Sequence, residues 1–207
     1  MPDFSLENQI KGIIAGVDEV GRGPWAGPVK VCAAIINQAL FPPHIVPLIN
    51  DSKKLTSDKR QVAHDLLTAL PREVFCYNIA SASVEEIDRL NIRQATLLAM
   101  SRAIAGLTIK PDHCLIDGNA LPDTPIASTC VIKGDAISLS IAAASIVAKV
   151  SRDQLMSDLA KQYPQYKWER NAGYGTKAHQ DALNEYGITP HHRTSFKPVQ
   201  LLINRET

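Results

Sequence analysis

The sequence predicts an α/β layer fold built on a mixed sheet. Three observations carry that expectation. Apolar runs of strand length recur along the chain, longer helical patterns lie between and after them, and Gly, Pro and Asn separate the two kinds.

Gly12 to Val17 is the first apolar run and ends at Asp18; Val29 to Ile36 is the second. Pro42-Pro43 marks a loop, after which Thr56 or Ser57 can cap a helix reaching about Leu70. Glu73 to Ala80 alternates loosely, as a third strand would. Ser83-Val84-Glu85-Glu86 is a capping box that starts a helical region to about Ala105, with a break expected near Asn91. His113 to Ile116 and Ala127 to Ile132 complete the strands, with a Pro122 to Pro125 loop between them. Ser138 to about Ala160 reads as a long helix, and Lys177 to Tyr186 as a last one stopped by Gly187 and Pro190.

A length of 207 residues fits one domain, 1-207, with a core over about 12-160 and a C-terminal helical extension over about 161-207. Hydrophobic residues at 45% and charged residues at 21% supply an ordinary core and exclude a disordered chain. No apolar run approaches the length of a membrane span, and Met1 to Ile10 is acidic without a signal core, so a cytoplasmic location is expected. Cys32, Cys76, Cys114 and Cys130 each fall in a strand candidate and share no Cys-x-x-Cys spacing, which reads as free thiols in a reducing compartment. The net charge of +1 does not by itself point to nucleic acid.

Four carboxylates stand at the ends of apolar runs, where an α/β sheet places its sites: Asp18, Glu19, Asp117 and Asp135. If the strand ends converge, each pair about 4 Å apart repels by roughly 4 kcal/mol at an effective dielectric of about 20. Such a cluster must bind protons or cations. All-oxygen ligands favour Mg²⁺ or Mn²⁺ over zinc, and two such ions would balance the four charges, an arrangement suited to phosphodiester hydrolysis. Taken singly, each acid reads better as a cap or turn residue. Asp18 and Glu19 are adjacent and would point to opposite faces of an ideal strand, so a bend is expected, with Gly21 and Gly23 allowing it.

The Gly16 to Gly23 stretch is not a phosphate loop, because no Gly-Lys-Ser/Thr follows and Pro24 and Pro28 prevent a helix. Its glycines instead let backbone groups approach a ligand, with Arg22 reaching a phosphate. Ser145, Lys149 and Arg152 recur at i, i+4 and i+7, which places a hydroxyl and two cations on one helix face. That face either is simply solvated or tracks a phosphate backbone. Ser52 and Lys53, in Asp51-Ser52-Lys53-Lys54, are a second candidate of the same kind.

These pieces together resemble bacterial ribonuclease HII. The resemblance rests on Gly16-Val17-Asp18-Glu19-Val20-Gly21-Arg22-Gly23-Pro24, Asp51-Ser52-Lys53-Lys54-Leu55, Ile116-Asp117-Gly118-Asn119, Lys133-Gly134-Asp135, the Ala143 to Asp153 helix segment, Gly173-Tyr174-Gly175-Thr176 and His191-His192-Arg193-Thr194-Ser195-Phe196. It runs from about residue 12 to 200 in family order. It implies the ribonuclease H fold, with a five-stranded mixed sheet and a C-terminal helical region. It implies an endoribonuclease that hydrolyses the RNA strand of RNA–DNA hybrids and cuts 5′ of single ribonucleotides in duplex DNA, serving ribonucleotide removal and primer clearance. It makes Asp18, Glu19, Asp117 and Asp135 the metal-binding catalytic carboxylates, with two Mn²⁺ or Mg²⁺ ions. Gly21, Arg22 and Gly23, with Tyr174, become the module that senses a ribonucleotide followed by DNA. Ser52, Lys53, Ser145, Lys149 and Arg152 become nucleic-acid contacts. The partners are then the hybrid and the ribonucleotide-containing duplex, the protein acting as a monomer, with any DNA clamp contact unknown.

Asp135-Ala136-Ile137-Ser138 departs from the family's usual loop after the third aspartate segment, which touches the loop shape and not the ligand. Ribonuclease HIII shares much of the pattern but carries an extra N-terminal domain, whereas about a dozen residues precede the first strand here. A non-catalytic nucleic-acid-binding module would not need four convergent acids, and another nucleotide-binding enzyme would need the missing phosphate loop. The His191-His192-Arg193 run has no assignment from the sequence.

Overall fold

Ile14–Val20 (β1), Val29–Ile36 (β2) and Phe75–Ala82 (β3) form an antiparallel meander, and His113–Asp117 (β4) and Ala127–Val131 (β5) add in parallel beside β1. The resulting sheet is five-stranded and mixed, in the order β3-β2-β1-β4-β5. These facts come from a computed structural model that describes residues 1–204.

The strands alternate as a sheet covered on both faces must. Val29, Val31 and Ala33 of β2 join Ala15 and Val17 of β1 in one apolar layer. Ser57–Thr68 is α1, Val84–Leu90 is α2 and Ile92–Ala105 is α3, and α3 supplies Ala95, Ala99 and Ala103 to that same layer. Cys32, Ala34 and Ile36 face the other way, onto α4, Leu139–Gln162. Helix α4 is buried on all sides from Leu139 to Ala148, so its small residues are a packing requirement. It presses so closely on β1 that a Cβ at Gly16 would lie 2.3 Å from the Ile141 nitrogen. Only glycine fits there.

Caps set the helix starts. Thr56 accepts the N–H of Lys59, Ser138 that of Ile141 and Thr176 that of His179. Ser83 and Glu86 form the reciprocal capping box. Asn91, at φ 66°, ends α2 and caps α3 through the N–H groups of Arg93 and Gln94, which is the expected break. After α4 come α5, Trp168–Asn171, α6, Lys177–Tyr186, and α7, Lys197–Ile203. Tyr166, Trp168, Ala182 and Leu183 pack there with Met156 of α4 and with Ala26 from the β1–β2 connection.

Four elements differ from expectation. β1 runs on through Asp18 and Glu19 to Val20, because β2 still pairs with it there. β3 begins two residues late, at Phe75, since Val74 closes a turn on the Pro71 carbonyl. The short helices α5 and α7 have too little periodicity to be read in advance. Cys32, Cys76, Cys114 and Cys130 are free, the first three buried. Among the described residues no helix is long and apolar enough to cross a membrane.

Candidate active site

The β1–β4 ladder ends at the pair Val17 and Ile116, while β1 stays paired with β2 through Asp18, Glu19 and Val20. The two parallel strands therefore part where the acids begin. Carboxylate oxygens of Asp18, Glu19 and Asp117 all lie within 4.8 Å of one another across this gap. The expected bend at the glycines is not the device that joins the adjacent acids. Asp18 turns toward α4, where Ser145 reaches its carboxylate. Glu19 lines a small cavity with Thr96 and Met100 of α3 and with Asp117 and Asn119. With no partner strand between them, both side chains reach the opening.

Asp18 is buried, and its Oδ1 accepts the N–H of Glu19 at 2.7 Å. Burial first, and then the Glu19 and Asp117 carboxylates, push its pKa well above the usual carboxylate range. Burial also raises Glu19, opposed by Arg22, whose Nη1 lies 3.2 Å from Glu19 Oε1. Asp117 Oδ1 accepts the N–H of Gly134 at 2.6 Å, so the short turn Gly134–Ala136 is pinned beside β4. Asp135 stands in that turn, outside the three-acid locus. Its pKa is raised by burial and then by the Asp51 and Asp117 carboxylates, with Lys53 Nζ 3.7 Å away working against them. Asp51 is a fifth acid of this neighbourhood that sequence reading passed over as a loop residue.

Oxygen donors alone, on a buried Asp18 crowded by two further acids, fit a small hard dication and not zinc. Arg22 and Lys53 are exposed cations at the rim.

The helical stripe is a different matter. Ser145 is buried and its Oγ lies 2.8 Å from that of buried Ser52, so these hydroxyls fasten the Asp51–Lys54 loop behind Asp18 and do not face an open groove. Lys149 pairs with Asp153 at 2.6 Å. Arg152 is 0% exposed. Its guanidinium donates to the carbonyls of Pro28, Ala172 and Ala26. The expectation that Arg152 contacts phosphate is corrected, because the 24–28 loop and the Ala172 turn cover it completely.

Gly21 is buried at φ 93°, and a Cβ there would meet the Arg152 guanidinium at 2.2 Å. Gly23 is exposed, with the Tyr174 ring 3.3 Å from where its Cβ would stand. Trp25 N–H donates to the Gly173 carbonyl at 2.8 Å, which joins the two loops, and Tyr174 is 48% exposed beside them. The sequence candidates thus fall into an acidic gap, a rim of Arg22 and Lys53, and a paired Gly21–Gly23 and Tyr174 surface, with Ser52, Ser145 and Arg152 behind.

The family model for Ribonuclease HII matches residues 15–199. Ribonuclease HII of Wolbachia sp. subsp. Brugia malayi (strain TRS) is 52% identical over 198 residues, covering 96% of this chain and 94% of that protein. Ribonuclease HII of Paramagnetospirillum magneticum is 53% identical over 199 residues, covering 96% and 97%. Among solved structures, ribonuclease H2 from Pyrococcus horikoshii OT3 superposes with a TM-score of 0.78 at 24% identity, covering 93% of this chain and 98% of that one, which is a likeness of fold.

Proposed function

The chain belongs to the ribonuclease HII family, and on that premise we propose that it incises DNA 5′ of a lone ribonucleotide by two-metal phosphodiester hydrolysis. At the coarser level it is a metal-dependent ribonuclease H acting on RNA–DNA substrates. The observation that carries the finer reading is one juxtaposition. The Asp18, Glu19 and Asp117 oxygens lie within 4.8 Å of one another, and the strand carrying Asp18 and Glu19 leads directly into Gly21–Gly23 and its neighbour Tyr174.

Asp18, Glu19, Asp117 and Asp135 would hold the ions, Mn²⁺ or Mg²⁺. Bound divalent ions stabilise the attacking and departing oxygens of such a displacement. The chain's own residues do the rest. Water attacks phosphorus, the bond to the upstream 3′ oxygen breaks, and that oxygen leaves protonated. The ribonucleotide then carries the 5′-phosphate of the downstream fragment. Backbone groups of Gly21 and Gly23 come close to the ribonucleotide's 2′-hydroxyl, the one group that distinguishes it from DNA. Arg22 and Lys53 hold flanking phosphates. Tyr174 lies against the next sugar, where a second hydroxyl would crowd it. Ser145 and Ser52 orient Asp18 from behind. We treat 1-207 as one working domain, because the extension beyond about residue 160 brings Tyr174 to the core; its last three residues lie outside those described.

The test is cleavage of a DNA duplex containing one ribonucleotide, with and without Mn²⁺. A single metal-dependent cut on the 5′ side is expected. Intact duplex in Mn²⁺, from protein that still cuts a long hybrid, would overturn the reading.

A further inference from the structure

We propose that Arg193 and His179 are positioning residues of the junction-sensing surface: Arg193 fixes the Gly21–Arg22 backbone, and His179, its tautomer set by His192, fixes the Tyr174 backbone. The proposal rests on the ribonucleotide-sensing reading above and deepens it. None of these three residues reaches the surface; Arg193 and His179 are 0% exposed and His192 is 1% exposed.

Arg193 spends its fork on main-chain carbonyls. Nη2 donates to Gly21 O at 2.6 Å, Nη1 to Arg22 O at 3.0 Å and Nε to Gly27 O at 2.9 Å. A buried guanidinium is a costly way to fill space, and apolar side chains of similar volume often do so at lower free energy. Burial, and then the neighbouring Arg152, pull the Arg193 pKa down to about 9, which shows that cost. What the guanidinium supplies and a leucine cannot is a fixed fork that sets the direction of two consecutive carbonyls.

The histidines form a relay whose tautomers follow from one donor. The Thr189 N–H points at His192 Nδ1 at 2.9 Å, so that nitrogen accepts and Nε2 bears the proton. His192 Nε2 then donates to His179 Nε2 at 3.0 Å. The Trp168 indole N–H, 3.2 Å from the same His179 nitrogen, agrees that this nitrogen is an acceptor. The proton of His179 is therefore on Nδ1, and it donates to the Tyr174 carbonyl at 3.0 Å. That carbonyl also accepts the N–H of Thr176, but this bond lies within the loop. Of the two bonds on that carbonyl, the His179 bond is the one that ties Tyr174 to a separate element. Burial above all holds His192 near a pKa of about 3, so the relay is neutral and acts by position.

Both halves hang on one stretch of chain. Gly27 N–H donates to His191 O, Arg193 N–H to Trp25 O and Trp25 N–H to Gly173 O. Residues 25–27 are thus sandwiched between the Gly173 turn and residues 191–193. The gap between Gly23 and the Tyr174 ring is set by this sandwich. A displacement of about 1 Å in a positioned group can cost on the order of 100-fold in rate. Here it falls on the junction substrate, which has a single 2′-hydroxyl to find, more than on a continuous hybrid.

The experiment compares kcat/KM on a single-ribonucleotide duplex with kcat/KM on an all-RNA strand paired to DNA, for wild type, His179→Asn and His179→Gln. Asparagine puts an amide N–H where Nδ1–H stood; glutamine puts its amide at the Nε2 position instead. We expect His179→Asn to keep the ratio of the two within about twofold, and His179→Gln to lower it by about tenfold. Equal losses on both substrates, or an unchanged ratio in His179→Gln, would overturn the proposal. In those cases wild type still cuts the junction, and the functional reading stands; a wild type that fails on the junction removes that reading and this one with it. Should the variants not fold, the ring ¹⁵N spectrum of wild type decides: His179 protonated at Nδ1 and His192 at Nε2 supports the relay, and any other pair of tautomers sinks it.

Discussion

The carboxylate of Asp117 accepts the backbone N–H of Gly134 at 2.6 Å, which ties the end of β4 to the turn carrying Asp135. Asparagine at 117 keeps an oxygen for that N–H while removing the charge. Asp117→Asn should therefore fold and bind duplex, yet cleave more slowly by on the order of 10³-fold, the equivalent of several kcal/mol of metal-assisted stabilisation. Single-turnover cleavage and duplex titration read the two separately. A variant that cuts at close to the wild-type rate would remove Asp117 from the metal set.

Metal should stabilise the fold. Asp18 is buried against Glu19 and Asp117, and a dication relieves that repulsion. At a concentration about 100 times Kd, linkage supplies about 2.7 kcal/mol, which at this size raises Tm by roughly 5–10 °C. In Asp18→Asn the rise should at least halve. Melting curves indifferent to millimolar Mn²⁺ in the wild type would contradict a preformed site.

Acid should weaken the protein through His192. Its folded pKa, about 3, lies below the unfolded value of about 6.5. A depressed base contributes stability that is complete above the unfolded pKa and is lost as pH falls from there toward the folded one. The loss is up to about 1.4 kcal/mol per pH unit over that window. In metal-free buffer the fall in Tm from pH 6 to 5 should be about 3 °C steeper in wild type than in His192→Gln. Comparing the two cancels the carboxylates. Parallel curves would mean that His192 takes up its proton while the protein is folded.

Arg152 and Lys53 separate stability from binding. Arg152→Ala leaves the carbonyls of Pro28, Ala172 and Ala26 unpartnered and should cost roughly 3 kcal/mol of stability. Lys53→Ala, at the exposed rim, should leave Tm unchanged and lower the slope of log affinity against log salt by about one. The reverse pattern would put Arg152 back on the substrate face.

The sequence made the strands and capped helices legible because each carries a local signal. Ser83 and Glu86 announce α2, and Val29 to Ile36 is bounded by Pro28 and Asn37. The acids were legible as a set because they end apolar runs. What closes Asp18, Glu19 and Asp117 into one cluster is a long-range fact, the parting of β1 from β4 after Val17 and Ile116, and no local pattern encodes it. Arg152 shows the other limit. Spacing along α4 places Ser145, Lys149 and Arg152 on one side, but whether that side meets solvent depends on the 24–28 loop, far away in the chain. His192 and Arg193 were unreadable for the same reason, since their partners lie at residues 21–27 and 179.

Tyr174 should decide which substrate is preferred. Its backbone is held independently of its ring: the N–H donates to Asn171 O, and the carbonyl accepts from Thr176 and His179. The ring itself is half exposed and stands beside Gly23. Tyr174→Ala should therefore keep the loop and lose only the surface against which a deoxyribose would pack. Loss of one such packing contact is worth roughly 1–3 kcal/mol of discrimination, so junction cleavage should fall by at least about tenfold. Cleavage of a long hybrid should fall much less, because there every following sugar carries the hydroxyl that the ring is proposed to disfavour. The products give a second check: wild type should leave the ribonucleotide on the 5′ end of the downstream fragment, and the variant's residual cuts should scatter from that position on mixed substrates. Equal loss on junction and hybrid would mark Tyr174 as a structural aromatic, and the preference would then have to come from Gly21–Gly23 alone.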